Sequence, residues 1–186
     1  MSKIFGIGLE RTGTTSLCAA MTRLGFNAVH FPRSLDQVVG AEFSNDITVS
    51  FCYKFLDHQF PGSKFILTVR NEAEWLDSCR RWYSRLAEQG GVEYDGWHAL
   101  WNLYGQTEFS SPVWTEGRQR HHADVADYFI DRPDDLLIIQ ICAGDGWEKL
   151  LPFVLPLMPF PLENRFATTE PVPTVEPSYG SDRSNG

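Results

Sequence analysis

The residues with the plainest chemical meaning run from Gly8 through Leu9-Glu10-Arg11-Thr12-Gly13-Thr14-Thr15-Ser16 to Leu17. The apolar run Ile4-Phe5-Gly6-Ile7 precedes them, and residues 17–24 come next with helical composition up to Gly25. Strand, glycine-containing loop and helix, in that order, gather backbone N–H groups and a helix N-terminus around an anion. Gly8 and Gly13 have the spacing of a phosphate-binding loop. The nucleotide-hydrolase form of that loop needs Lys and then Ser or Thr directly after its second glycine. Here Thr14 takes the lysine's place, and the strong cation of the loop is Arg11, two residues before Gly13. The pattern fits a phosphate or a similar anion and argues against ordinary Mg-dependent ATP hydrolysis. A plain tight turn would have no use for the hydroxyl cluster of Thr12, Thr14, Thr15 and Ser16.

A second group of residues suits a phosphate. Lys64 to Arg70 is the clearest strand pattern in the chain, short, apolar and rich in β-branched residues, as in a buried parallel strand. It ends in Arg70, and Ser78 comes eight residues later. Between them Asn71 and Glu74 have the spacing of a helix start, which puts Ser78 two turns into a helix. A guanidinium at a strand end can fork two phosphate oxygens. It can equally pair with Glu72, Glu74 or Asp77.

The elements that must position these groups are legible in outline. Residues 3–8 read as strand, 9–14 as loop and about 15–24 as helix. A second strand spans 27–31, stopped by Pro32, and Ser34 caps a short helix over 34–39. Residues 47–56 read as helix continuing toward Gln59, and Pro61-Gly62-Ser63 as a turn. The helix after Asn71 carries Trp75, Cys79, Trp82 and Tyr83 before Gly90-Gly91. The section 92–122 holds Tyr94, Trp97, Trp101, Tyr104, Phe109 and Trp114, partly helical and without strand pattern. Another helix is expected over 121–130, a second buried strand over 136–142, and a last helix from Trp147 to Val154. Alternating buried strands and helices give an α/β fold with an open, mainly parallel sheet covered on both faces. Such sheets bind ligands at the carboxyl ends of their strands, where Gly8 and Arg70 fall. The expected organisation is one domain over 1–165 and a disordered tail over 166–186, where Pro, Ser, Thr and Gly replace apolar residues.

The 186 residues suffice for one sizeable core. A formal net charge of −8 argues against nucleic-acid binding through a basic surface, so any anion site must be local. Cys18, Cys52, Cys79 and Cys142 form no CxxC pair, and they read as reduced thiols of a cytoplasmic protein, with no metal expected. No signal peptide is visible, and the apolar stretch 150–160 is broken by Pro152, Pro156 and Pro159, so no membrane span is expected.

The loop Arg11-Thr12-Gly13-Thr14-Thr15-Ser16, together with the strand-end Arg70 and Ser78, resembles the sulfotransferases that use 3′-phosphoadenosine 5′-phosphosulfate (PAPS). The runs Arg132-Pro133-Asp134-Asp135-Leu136-Leu137 and Gly144-Asp145-Gly146-Trp147-Glu148-Lys149-Leu150, then Pro159-Phe160-Pro161, are similar to a small, mostly bacterial branch of that family. The resemblance covers roughly 3–164. It implies a three-layer P-loop-type fold, PAPS as donor and 3′,5′-bisphosphoadenosine (PAP) as product. It implies that Arg11, Thr12, Gly13, Thr14, Thr15 and Ser16 hold the 5′-phosphosulfate and that Arg70 and Ser78 hold the 3′-phosphate. Many members carry Lys at the Arg11 position; Arg keeps the charge but is a poorer proton donor.

The acceptor needs a general base. His30, Asp36 and Asp46 are the candidates, since related enzymes use His or a carboxylate from this part of the chain. His30 and Asp46 stand with Arg11 as the expected catalytic residues. His121 and His122 are adjacent, so at most one is expected to face the site, with solvent exposure expected for at least one. The section 92–122 can wall the acceptor or complete the core, and an aromatic wall or lid suits an apolar or aromatic small molecule. Trp147 can pack in the core or stack on adenine. Two other readings compete: a small-molecule kinase, which lacks its lysine here, and a nucleotide-binding protein without catalysis.

Overall fold

The structure is a computed structural model, and it describes residues 2–88 and 96–157. The expectations for Gly90-Gly91, Tyr94, Pro159-Phe160-Pro161 and the tail from 166 lie outside the described residues.

Five short strands form one sheet: β1 (Ile4–Gly6), β2 (Ala28–His30), β3 (Phe43–Asn45), β4 (Lys64–Thr68) and β5 (Leu136–Ile139). Their order is β2-β3-β1-β4-β5, and every neighbouring pair is parallel. Parallel strands need crossovers, and helices supply them here. These are α1 (Thr14–Arg23), α2 (Leu35–Gly40), α3 (Ile47–Ser50), α4 (Tyr53–Gln59), α5 (Glu72–Glu88), α6 (Trp97–Tyr104), α7 (Ser111–Tyr128) and α8 (Trp147–Val154).

Side chains alternate across each strand, so one strand feeds two cores. Phe5, Ile7, Phe65 and Leu67 pack with Val49, Tyr53, Leu56, Val125 and Phe129 on one face. Ile4, Phe43 and Ile66 pack with Leu17, Met21, Leu150 and Val154 on the other. A third cluster gathers Leu9 with Trp75, Leu100, Tyr104 and Trp114 beyond the end of β1. The sheet is therefore the middle of three layers, as the sequence implies.

The register sets the site. Gly6, Asn45 and His30 lie in one row across β1, β3 and β2. The residues just beyond β2, β3 and β1 thus stand side by side at the carboxyl edge, about 5 Å apart per strand, while β4, level with Gly6 at Ile66, runs two residues further to Thr68.

Four elements differ from the sequence pattern. The buried strand expected over 136–142 ends at Ile139 and, as an edge strand, is only partly covered, with Ile138 exposed. β3 has no counterpart in the pattern, because Phe43-Ser44-Asn45 contains two polar residues yet is wholly buried. The helix expected over 47–59 is two helices. Its β-branched start Ile47-Thr48-Val49 closes with a tighter turn, Cys52 N–H to Val49 O at 3.2 Å, before α4 begins. The helix expected over 121–130 begins instead at Ser111 and runs 18 residues. Gly117 sits inside it where a Cβ would lie 2.8 Å from the Leu103 carbonyl. Its helix propensity is poor, but it lets α6 and α7 meet closely.

Gly8 meets the end of β4 in the same way: a Cβ there would fall 2.7 Å from the Thr68 carbonyl oxygen and nearer still to the Thr68 hydroxyl. Thr68 is fully buried, so it cannot swing away. Gly8→Ala is expected to lower the unfolding free energy by about 2 kcal/mol or more. Urea denaturation measures this, and an unchanged midpoint would mean that the contact is slack.

Candidate functional site

The loop after β1 turns its backbone toward one point. Gly13 has φ +103° and caps α1 without a side-chain bond. The first intrahelical bond is Leu17 N–H to Gly13 O, at 3.0 Å. The N–H groups of Thr14, Thr15 and Ser16 therefore have no carbonyl one turn earlier to accept them. They form the positive end of a ten-residue helix with no acidic residue in its first turn.

Arg11 stands beside that end in the left-handed conformation, φ +63°. Its Nε donates to Ser78 Oγ (3.1 Å), and its guanidinium lies 5.2 Å from the centre of the Trp82 ring. Arg70 Nη1 donates to the Arg11 carbonyl (3.3 Å), and its Nε pairs with Glu74 (3.4 Å). Glu72 is turned away to Arg118 at 2.8 Å. Arg11, Arg70 and Ser78 thus share one corner between the loop and α5. The internal link of Ser78 runs to Arg11, not to Arg70 as the spacing suggests.

The other side of the loop carries the candidate base. Asp46 stands directly after β3 with φ +92° and is buried. Its Oδ1 accepts from the Ile47 N–H (2.7 Å) and its Oδ2 from the Thr14 hydroxyl (2.6 Å). His30 Nε2 lies 3.5 Å from Asp46 Oδ2 and 3.2 Å from Thr15 Oγ1. Its Nδ1 lies 3.2 Å from Asn45 Oδ1. The Asn45 amide nitrogen donates to the Thr14 carbonyl (2.6 Å), which leaves its oxygen for His30. That network assigns the proton of neutral His30 to Nδ1 and leaves the Nε2 lone pair toward the loop. His30, Asp46, Thr14 and Thr15 are brought together. Asp36 is not: it is exposed in the first turn of α2, and no bond ties it to the loop.

Neither histidine of the adjacent pair faces this group. His121 is buried and donates from Nε2 to the Ile7 carbonyl (2.8 Å), and burial lowers its pKa. Burial and the Arg118 charge push His122 down to about 4. Both read as neutral core groups, and the expected exposure of one of them is corrected. Trp147 is 42% exposed beside Ser16, so it does not complete the core. The aromatic section divides. Tyr104 and Trp114 stack at 4.1 Å inside the third cluster, whereas Trp97 and Trp101 are each 58% exposed.

Sequence reasoning missed Glu10. It looks like an exposed loop charge but is 6% exposed. Tyr104 Oη (2.8 Å), Trp114 Nε1 (2.8 Å) and Tyr83 Oη (3.2 Å) donate to its carboxylate. Trp75 Nε1 donates to its carbonyl (2.8 Å). Burial pushes its pKa up to about 6, against the pull of the Tyr104 and Trp114 bonds. The only signal in the sequence is an acidic residue inside an anion-binding loop.

An apolar groove of about 200 Å³ is formed by residues that follow His30 and Asp46 in the chain. Pro32, Leu35, Val38, Phe55, Leu56 and His98 line it, with Thr48, two residues after Asp46. Among the described residues no group of His, Cys, Asp or Glu is arranged to hold a metal ion, and no helix is long and apolar enough to cross a membrane. All four cysteines are free.

A glycine-bearing loop at the centre of a parallel sheet, joined to an open helix N-terminus and a cation, defines a P-loop-type α/β fold. A family model described as a sulfotransferase domain matches residues 3–42 and 33–169, and the chain belongs to that family. A search of curated proteins gives no match. The family makes the chain a transferase whose chemistry is sulfuryl transfer.

The buried Glu10 carboxyl gives stability a pH dependence. Its folded pKa of about 6 lies above the ordinary 4.5, so the folded state holds its proton more tightly than the unfolded chain. The contribution is full below the unfolded pKa and is lost as pH rises through the folded one. The stability of the wild type relative to Glu10→Gln is expected to fall by about 2 kcal/mol between roughly pH 4 and pH 8. Denaturation of both proteins across that range checks it, and a rise with pH would contradict the assignment.

Proposed function

We propose that the protein transfers a sulfuryl group from PAPS to a hydroxyl or amine of a small-molecule acceptor. The observation that carries this reading is the open N-terminus of α1 with Arg11 on one side and the His30–Asp46 pair on the other. One face suits an anionic leaving group and the other a proton acceptor, with the start of α1 between them.

The residues fit the donor. The N–H groups of Thr14, Thr15 and Ser16 and the Arg11 guanidinium suit its 5′-phosphosulfate. Arg70 and Ser78, at the same corner, suit its 3′-phosphate, with Glu74 released from Arg70 when that phosphate binds. PAPS supplies a sulfuryl group already joined to a phosphate leaving group. Such a transfer resembles phosphoryl transfer, in which charge spreads over equatorial oxygens and positioning dominates.

His30 is the better base. Both oxygens of Asp46 already accept hydrogen bonds, from Ile47 and Thr14, and the residue is buried. His30 is solvent-exposed, and the Asn45 bond leaves its Nε2 lone pair toward the loop, where its donor is the single Thr15 hydroxyl, which an acceptor hydroxyl or amine can replace. His30 Nε2 takes the acceptor's proton as the acceptor atom bonds to sulfur and the sulfur–oxygen bond to the 5′-phosphate breaks. Asp46, 3.5 Å away, stabilises the imidazolium that results. Arg11 and the α1 N–H groups stabilise the charge gathering on the departing phosphate. The groove beside Pro32 and Thr48 suits an apolar or aromatic acceptor whose nucleophilic end reaches His30.

The test is a screen of phenols, aliphatic alcohols and amines with ³⁵S-labelled PAPS. On any acceptor found, His30→Gln should lower kcat by about 100-fold or more and leave the donor KM nearly unchanged. Undiminished turnover in that variant would overturn His30 as base. Absence of transfer to every acceptor class, with PAP still bound, would favour a binding protein without catalysis.

A further inference from the structure

Glu10 has no part in the chemistry just described, yet three side chains donate to its buried carboxylate. They come from three helices: Tyr83 on α5, Tyr104 on α6 and Trp114 on α7. A fourth bond, from Trp75 on α5, holds its carbonyl. All four donors are neutral. Burying a carboxylate among neutral donors is costly compared with a well-packed apolar side chain. The anchorage therefore serves something other than stability.

The neighbouring residue supplies the reason. Arg11 is held at φ +63°, a conformation that costs a residue with a Cβ about 1 kcal/mol and persists only where the surroundings over-determine it. Arg11 is clamped on both sides: Glu10 is fixed at its carboxylate and its carbonyl, and the Arg11 carbonyl accepts from Arg70. The direction of the Arg11 side chain depends on that backbone. Its guanidinium reaches Ser78 and Trp82 on α5, the same helix that supplies two of Glu10's donors.

We infer that Glu10 is a positioning residue for the donor site: its carboxylate fastens the loop to the α5–α7 cover and so holds Arg11 turned toward the anion. The inference rests on the donor reading above. Glutamine can replace it in part, because its oxygen accepts from Trp114 and Tyr83 while its amide donates to the Tyr104 oxygen. Leucine fills the space but leaves the loop unfastened and Trp114 Nε1 without a partner.

The experiment compares wild type, Glu10→Gln, Glu10→Leu and Trp114→Phe with Val125→Ala, a core variant on α7 that touches none of these bonds. Two quantities are read well below each melting temperature: PAP affinity by calorimetry and hydrogen exchange of the peptide spanning 8–17. Glu10→Gln should bind PAP within about threefold of wild type, and Glu10→Leu should bind about tenfold or more weakly with faster exchange of the loop. Val125→Ala should lose comparable stability and keep wild-type affinity and loop exchange. If Glu10→Leu does not fold, Trp114→Phe, which removes one donor, is read in the same way. The inference is overturned if the folded variant binds PAP as wild type does, or if Val125→Ala weakens binding equally. If the wild type binds no PAP, the donor reading fails, and loop exchange alone then decides whether Glu10 fastens the loop.

Discussion

The first turn of α1 is the constraint on which the site depends. Three N–H groups at a helix start cannot bond within the helix, and Gly13 offers them no side-chain cap. Left buried and unpaired they would destabilise the fold. Left open they form a place where an anion is welcome. The fold keeps them open by setting β1 in the middle of the sheet, with β3 and β4 on either side. The chain then returns to the loop from both directions, with Asp46 and His30 on one flank and Arg70 and α5 on the other.

Holding that arrangement strains the backbone. Among the described residues the non-glycine positions with positive φ are Arg11, Phe31 and Asp46. Arg11 lies in the loop, Phe31 directly after His30, and Asp46 directly after β3. Each is over-determined by its neighbours: Phe31 N–H donates to the Asn45 carbonyl at 3.0 Å, and Asp46 caps the helix after it. Strain gathered at one edge of a sheet is how residues are kept in unfavoured directions for a purpose. Asn45 is the hinge of this network, since one amide touches both the α1 start through the Thr14 carbonyl and the His30 ring.

The legible parts of the chain are those whose physics is local. β1 and β4 lie in continuous apolar runs, as strands covered on both faces must, whereas β5 has the same apolar run at the sheet edge and is only partly covered. The loop shows itself through glycine spacing and hydroxyls, and Arg70 through its place at a strand end. β3 is hidden because Ser44 and Asn45 serve the interior and the site rather than an apolar face. α7 is hidden because Pro112 and Gly117 read as breakers, although one begins the helix and the other makes room for α6. The role of Glu10 is hidden because its donors lie 65 to 104 residues downstream. Nothing near Glu10 in sequence distinguishes it from a solvated charge. For the same reason the Arg11–Ser78 bond, which spans 67 residues, cannot be told from an Arg70–Ser78 pair by spacing.

The central claim is that this loop holds a nucleotide's anionic end with N–H groups and a guanidinium, where a hydrolase uses lysine and magnesium. Isothermal titration calorimetry of PAP, run in EDTA and again with magnesium and compared with Mg-ATP, tests it most directly. Equal PAP affinity under both conditions and far weaker binding of Mg-ATP are expected. Binding of PAP that requires magnesium, or a preference for Mg-ATP, would contradict the claim.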